Sequence, residues 1–149
     1  MNKAVRWAAL MLLSGHGAVF AQSSRNTVLA SCGAPTGVAN YKADQNWSED
    51  RMPNGSFTFV VDDEAQPNLL FKDASGNITD ARADGATVSF TFIDADRNEF
   101  GILVNYERAG SVETYGLVRM DDGRSYLQWT VNRVANRLPK VAAYTAACN

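Results

Sequence analysis

The chain has 149 residues, 46% of them hydrophobic and 20% charged, with a formal net charge of −2, one histidine and two cysteines. That length suits one domain around a single core, and the mild acidity makes nucleic acid and anionic membrane poor partners. So few histidines and cysteines leave little from which to build the common zinc sites.

Residues 1 to 21 carry the pattern of a cleaved secretory signal: Lys3 and Arg6, an apolar run from Trp7 to Leu13 that resumes at Ala18 to Phe20, and Val19 and Ala21 before a cut at Gln22. The run is shorter than the about 20 apolar residues of a membrane span, and Ser14 to Gly17 interrupt it. Cleavage would remove His16, the only histidine, and with it Ser-His and Cys-His chemistry. The expected localisation is periplasmic or secreted, with no stable membrane anchor.

Leu29-Ala30-Ser31-Cys32 resembles the lipobox of bacterial lipoproteins, but six polar or charged residues, Gln22 to Thr27, separate it from the apolar core. Acylation of Cys32 would leave Cys148 as a free thiol in an oxidising compartment, so a Cys32–Cys148 disulfide is expected. It would close a loop on the order of 100 residues, a constraint worth up to about 4 to 5 kcal/mol in the chain-entropy model.

Residues 22–55, rich in Gly, Pro and Asn from residue 33 on, read as an ordered N-terminal arm with one helical turn around Tyr41 to Trp47. From residue 56 the pattern becomes short alternating runs between turn residues, which predicts an all-β body over 56–149. Eight strands are expected, starting near Ser56, Asn68, Ile78, Thr87, Glu99, Val112, Ser125 and Lys140. In TVSFTFID, Val88, Phe90 and Phe92 alternate with Thr87, Ser89 and Thr91, so one face is buried and the other wet. Short connections make an antiparallel up-and-down meander, closed or nearly closed into a barrel, with the disulfide tying the arm to the last strand.

The barrel plan directs Phe57, Phe59, Phe90, Phe92, Tyr106 and Trp129 inward as core residues and candidate ligand contacts. Small or polar residues, Thr114 with Gly116 and Ala142 with Ala146, share strand faces and would leave room beside them. All sixteen acidic residues fall between Asp44 and Asp122, whereas Arg124, Arg133, Arg137 and Lys140 lie beyond them. Arg133, Arg137 and Lys140 are therefore candidates for a basic rim that meets a partner, set against simple pairing with acidic turns. Asp94, Asp96 and Asn98 begin like a calcium loop, but Glu99 and Asn105 stand where the glycine and the bidentate glutamate belong. Asp62 to Glu64 and Asp121-Asp122 sit in turns, where carboxylates are usually solvated rather than tuned for acid–base work. No catalytic residue, metal site or cofactor is expected.

The secreted eight-stranded plan resembles the lipocalin architecture in pattern, without the Gly-x-Trp lipocalins carry near the first strand; the nearest tryptophan is in QNW. It is also similar to small periplasmic inhibitors of lysozymes and proteases, although no inhibitory loop motif is present. The expectation is an exported, monomeric, non-enzymatic β-barrel that binds a small apolar or amphipathic molecule. The alternative is a protein-directed inhibitor or envelope factor acting through exposed loops.

Overall fold

The computed structural model describes residues 26–41, 46–135 and 138–149; the signal pattern over residues 1 to 21 and the candidate Arg137 lie outside the described residues. Eleven strands follow in chain order: β1 (Thr27–Cys32), β2 (Thr36–Tyr41), β3 (Trp47–Arg51), β4 (Ser56–Val61), β5 (Pro67–Lys72), β6 (Ile78–Asp80), β7 (Thr87–Asp94), β8 (Glu99–Tyr106), β9 (Ser111–Arg119), β10 (Ser125–Arg133) and β11 (Lys140–Cys148). One 3-10 turn at Glu107–Ala109 interrupts them, and among the described residues no helix is long and apolar enough to cross a membrane.

All eight expected strands are present, all pairings are antiparallel, and the sheet curls into a half-barrel. Alternation fixes the faces. In β10, Leu127, Trp129 and Val131 are buried while Gln128, Thr130 and Asn132 are exposed; in β11, Ala142, Tyr144 and Ala146 are buried between exposed neighbours.

The segment read as an arm contributes three strands, β1, β2 and β3, while the helical turn expected between Tyr41 and Trp47 falls on residues 42–45, outside the described residues. Register explains how they fit. β1 meets β11 at Cys32–Cys148 and β2 continues along the same edge from Thr36–Thr145 to Tyr41–Lys140, so β1 and β2 form one long strand bent at Gly33 to Pro35. Its other edge pairs with β4 along β1 and with β3 along β2, which makes β3 and β4 a second bent strand, broken at Met52 to Gly55. The two breaks lie opposite each other, joined by the Met52 N–H donating to the Pro35 carbonyl at 3.1 Å. Glycine and proline here mark bends within strands rather than the absence of strands. Gly37 is needed for a further reason: a Cβ at that position would strike the Ala143 carbonyl of β11.

With β1–β2 and β3–β4 each counted as one bent strand, sequence neighbours are sheet neighbours, except that β6 and β7, the two ends of the sheet, do not pair with each other. The Cys32–Cys148 disulfide forms as expected.

Across the curled sheet, Phe57 and Phe59 of β4 meet the far wall. Phe57 lies 5.0 Å from Trp129 and 5.7 Å from Tyr115, and Phe59 lies 5.5 Å from Phe100. Phe92 is corrected: a bulge at Thr91, between the Phe90–Ile102 and Phe92–Gly101 pairs, slips the alternation and turns the Phe92 ring outward, leaving it 48% exposed. Thr114 and Gly116 are also on the outer face, so of these four small or polar residues Ala142 and Ala146 alone make room inside.

Candidate functional site

The registers of β2, β11, β10, β9 and β8 set three rows of side chains across the concave face near one end of the half-barrel. The outermost holds Tyr41, Lys140, Arg133, Ser111 and Tyr106. The next holds Ala39, Ala142, Val131, Glu113 and Val104, and the third Gly37, Tyr144, Trp129, Tyr115 and Ile102. Polar and charged groups thus stand at the lip, small and aliphatic groups with the single carboxylate of Glu113 behind them, and a largely aromatic floor below.

A cavity of about 240 Å³ opens here. Phe57, Leu69, Phe71, Trp129 and Val131 form its apolar wall, and Tyr106, Glu113, Arg133 and Lys140 its polar side. Two carboxylates organise the polar groups. Glu113 Oε2 accepts hydrogen bonds from the Tyr115 hydroxyl and from Trp129 Nε1 at 3.1 Å. Asp50, on β3, accepts from the Tyr41 and Tyr144 hydroxyls at 2.6 and 2.5 Å and pairs with Lys140 Nζ at 3.0 Å. Tyr41 and Lys140 reach it across Ala39 and Ala142, whose small side chains leave that path open. The ammonium also lies 5.1 and 5.0 Å from the Tyr41 and Tyr144 ring centroids, within cation–π range.

Protonation follows from these contacts. Burial alone would push the Asp50 carboxyl up, but hydrogen bonds from Tyr144, Tyr41 and Lys140, with the lysine's charge, hold it at about 2. Burial raises the Tyr115 phenol well above its ordinary value, reinforced by Glu113, and burial with Asp50 does the same to Tyr144. Tyr106 is pushed up to about 12 by burial and by the charges of Glu113, Asp84 and Asp80. These three phenols are hydrogen-bond donors at neutral pH.

Of the candidate ligand contacts, Phe57, Tyr106 and Trp129 line the cavity. Phe59 is fully buried in the core, Phe90 lines an apolar cleft of about 340 Å³ with Leu29, Val61 and Ile93, and Phe92 is outside. Of the expected basic rim, Lys140 has a side chain only 13% exposed and paired with Asp50, with Arg133 beside it on the concave face, and both also line an open groove with Trp47, Val134 and Val141. Arg124 pairs with Asp122. The acidic turns have local work: Asp62 accepts the Glu64 and Gln66 amides and pairs with Arg82 at 2.8 Å, and Asp94 accepts the Arg97 amide.

Glu113 and Asp50 were absent from the sequence-based candidates. Reading alternate positions back from Leu117 through Tyr115 would have found Glu113 on the inner face. Nothing comparable marks Asp50, whose strand looks like coil.

No family model matches the chain, and no curated protein or solved structure matches it either. The functional argument therefore rests on this geometry.

Proposed function

We propose that the protein is an exported binding module that holds a small amphipathic molecule in the concave cavity. The observation that carries this reading is the cavity's division into an aromatic wall around Phe57, Phe71 and Trp129 and a polar side formed by Tyr106, Glu113, Arg133 and Lys140. Binding sites are typically apolar clefts of about 300 to 1,000 Å³ with a few placed polar groups. A cavity near 240 Å³ suits a compact ligand, or one end of a longer one. Export is supported by the signal pattern of residues 1 to 21 and by the disulfide.

A second reading, a protein-directed factor, draws on the outer face. There Trp47, Val134 and Val141 are 56%, 73% and 49% exposed around an open groove of about 480 Å³. Native mass spectrometry of the exported protein, purified without denaturation, separates the two. A retained small molecule that dissociates on unfolding, and is missing from the variant Thr79→Trp, which fills the cavity from the lining residue Thr79 of β6, is the expected result. An empty wild-type protein, or equal retention by the variant, overturns the proposal.

A further inference from the structure

Four charged side chains stand at the polar end of the interior, and they are not equivalent. Asp50 and Lys140 neutralise each other at 3.0 Å. Glu113 and Arg133 do not, although they have the means to. Val131 pairs with Glu113 and Arg133 with Ser111, so Glu113 and Arg133 are diagonal neighbours on one face of β9 and β10. Opposite charges so placed are within reach of each other when the side chains are long. Yet among the described residues neither forms an ion pair. The structure holds them apart: Tyr115 and Trp129 draw Glu113 Oε2 toward the aromatic floor, the Ser111 hydroxyl donates to Glu113 Oε1 at 3.4 Å, and Arg133 Nε donates to the Leu138 carbonyl at 3.2 Å. Both side chains line the same cavity.

Leaving two half-buried opposite charges unneutralised costs stability, and the cost is recovered when a ligand brings the complementary pair. Building on the proposed binding function, we infer that the ligand is a small apolar zwitterion, such as an α-amino acid with an apolar side chain. Its cationic group meets Glu113, its anionic group meets Arg133, and its apolar body rests among Phe57, Leu69 and Phe71. The surroundings grade the same way. Asp80 and Asp84 add negative potential on the Tyr106 and Glu113 side, whereas Arg133 places its cation on the other, Lys140 being neutralised by Asp50. The Tyr106 hydroxyl is a further donor at the lip.

Calorimetry on the oxidised protein at pH 7 tests this with three probes that share one ring: L-phenylalanine, 3-phenylpropionate without the ammonium, and 2-phenylethylamine without the carboxylate. L-leucine accompanies them, so that ring size does not decide the result. The zwitterions are expected to bind at least tenfold more tightly than either single ion. Glu113→Gln should remove the zwitterion's advantage over 3-phenylpropionate. Arg133→Gln should remove the advantage over 2-phenylethylamine in the same way. A single ion that binds as tightly as the zwitterion overturns the inference, as does a variant that weakens every probe equally. Near-UV circular dichroism of each variant identifies a misfolded cavity, and Arg133→Gln, at the half-exposed lip, gives a result independent of the Glu113 hydrogen bonds. Failure of all four probes while the exported protein still retains a ligand overturns the zwitterion alone. Their failure with an empty exported protein overturns the binding function as well.

Discussion

Asp50 is the residue whose charge state most directly supports the fold. Its folded pKa of about 2 lies below the ordinary carboxylate value, so its contribution is fully present above about pH 4 and is lost as pH falls toward 2. With the side chain 22% exposed, screening is limited, and the contribution is on the order of 2 kcal/mol. Urea unfolding of Asp50→Asn should therefore show a loss of about that size at neutral pH, and a shallower decline than wild type between pH 4 and 2. A wild-type and variant pair whose curves stay parallel through that window would remove Asp50 from this role. The same cluster shows how far residue-level reading reaches. Lys140 was recognisable as one of few cations in an acid-free tail, but its partner lies 90 residues earlier in a stretch resembling coil. Only pairing of β2 with β11 and of β2 with β3 brings the two together.

At the scale of the element, β7 shows why alternation locates a strand better than it orients one. TVSFTFID has the period of a strand with one buried face, and the strand is there, with Val88 and Phe90 facing inward but only half-buried. One extra residue at Thr91 then reverses the faces beyond it, and the space above Gly101 is taken by the Phe92 ring and the Thr91 hydroxyl. Equal-sized truncations should separate the two kinds of position. Phe59→Ala, in the fully buried core, should cost about 3 to 5 kcal/mol, whereas Phe92→Ala, on the outer surface, should cost less than about 1 kcal/mol. Equilibrium unfolding in urea measures both, and similar losses would place Phe92 back in the core. A bulge of this kind leaves no trace in hydrophobic period, because its cause is cross-strand register rather than local composition.

For the whole molecule, the decisive junction is where the last strand meets the first. Cys32 and Cys148, 116 residues apart, join β1 to β11 at the single residue pair those strands share, backed by short backbone bonds such as Gly33 N–H to the Ala147 carbonyl at 2.9 Å. A loop of that size carries a constraint of up to about 4 to 5 kcal/mol. Replacing both cysteines by serine should lower the urea midpoint markedly and increase hydrogen exchange first in β1 and the end of β11. Unchanged exchange there would mean that the β2–β11 ladder alone holds the junction.

The eight-strand body, the inward aromatics Phe57, Phe59 and Trp129, and the disulfide were all determined by the amino-acid sequence, because period-two alternation, turn residues and an even cysteine count are local signals or simple ones. Tertiary structure alone decided the rest. It recruited β1 to β3, whose glycines and prolines serve as bends once a neighbouring strand supplies the hydrogen bonds. It left the seam between β6 and β7 unpaired, and it set Glu113 beside Arg133 while holding them apart. Those outcomes depend on which residues face each other across strands, and register is settled by the packing of the whole curled sheet rather than by any one segment of it.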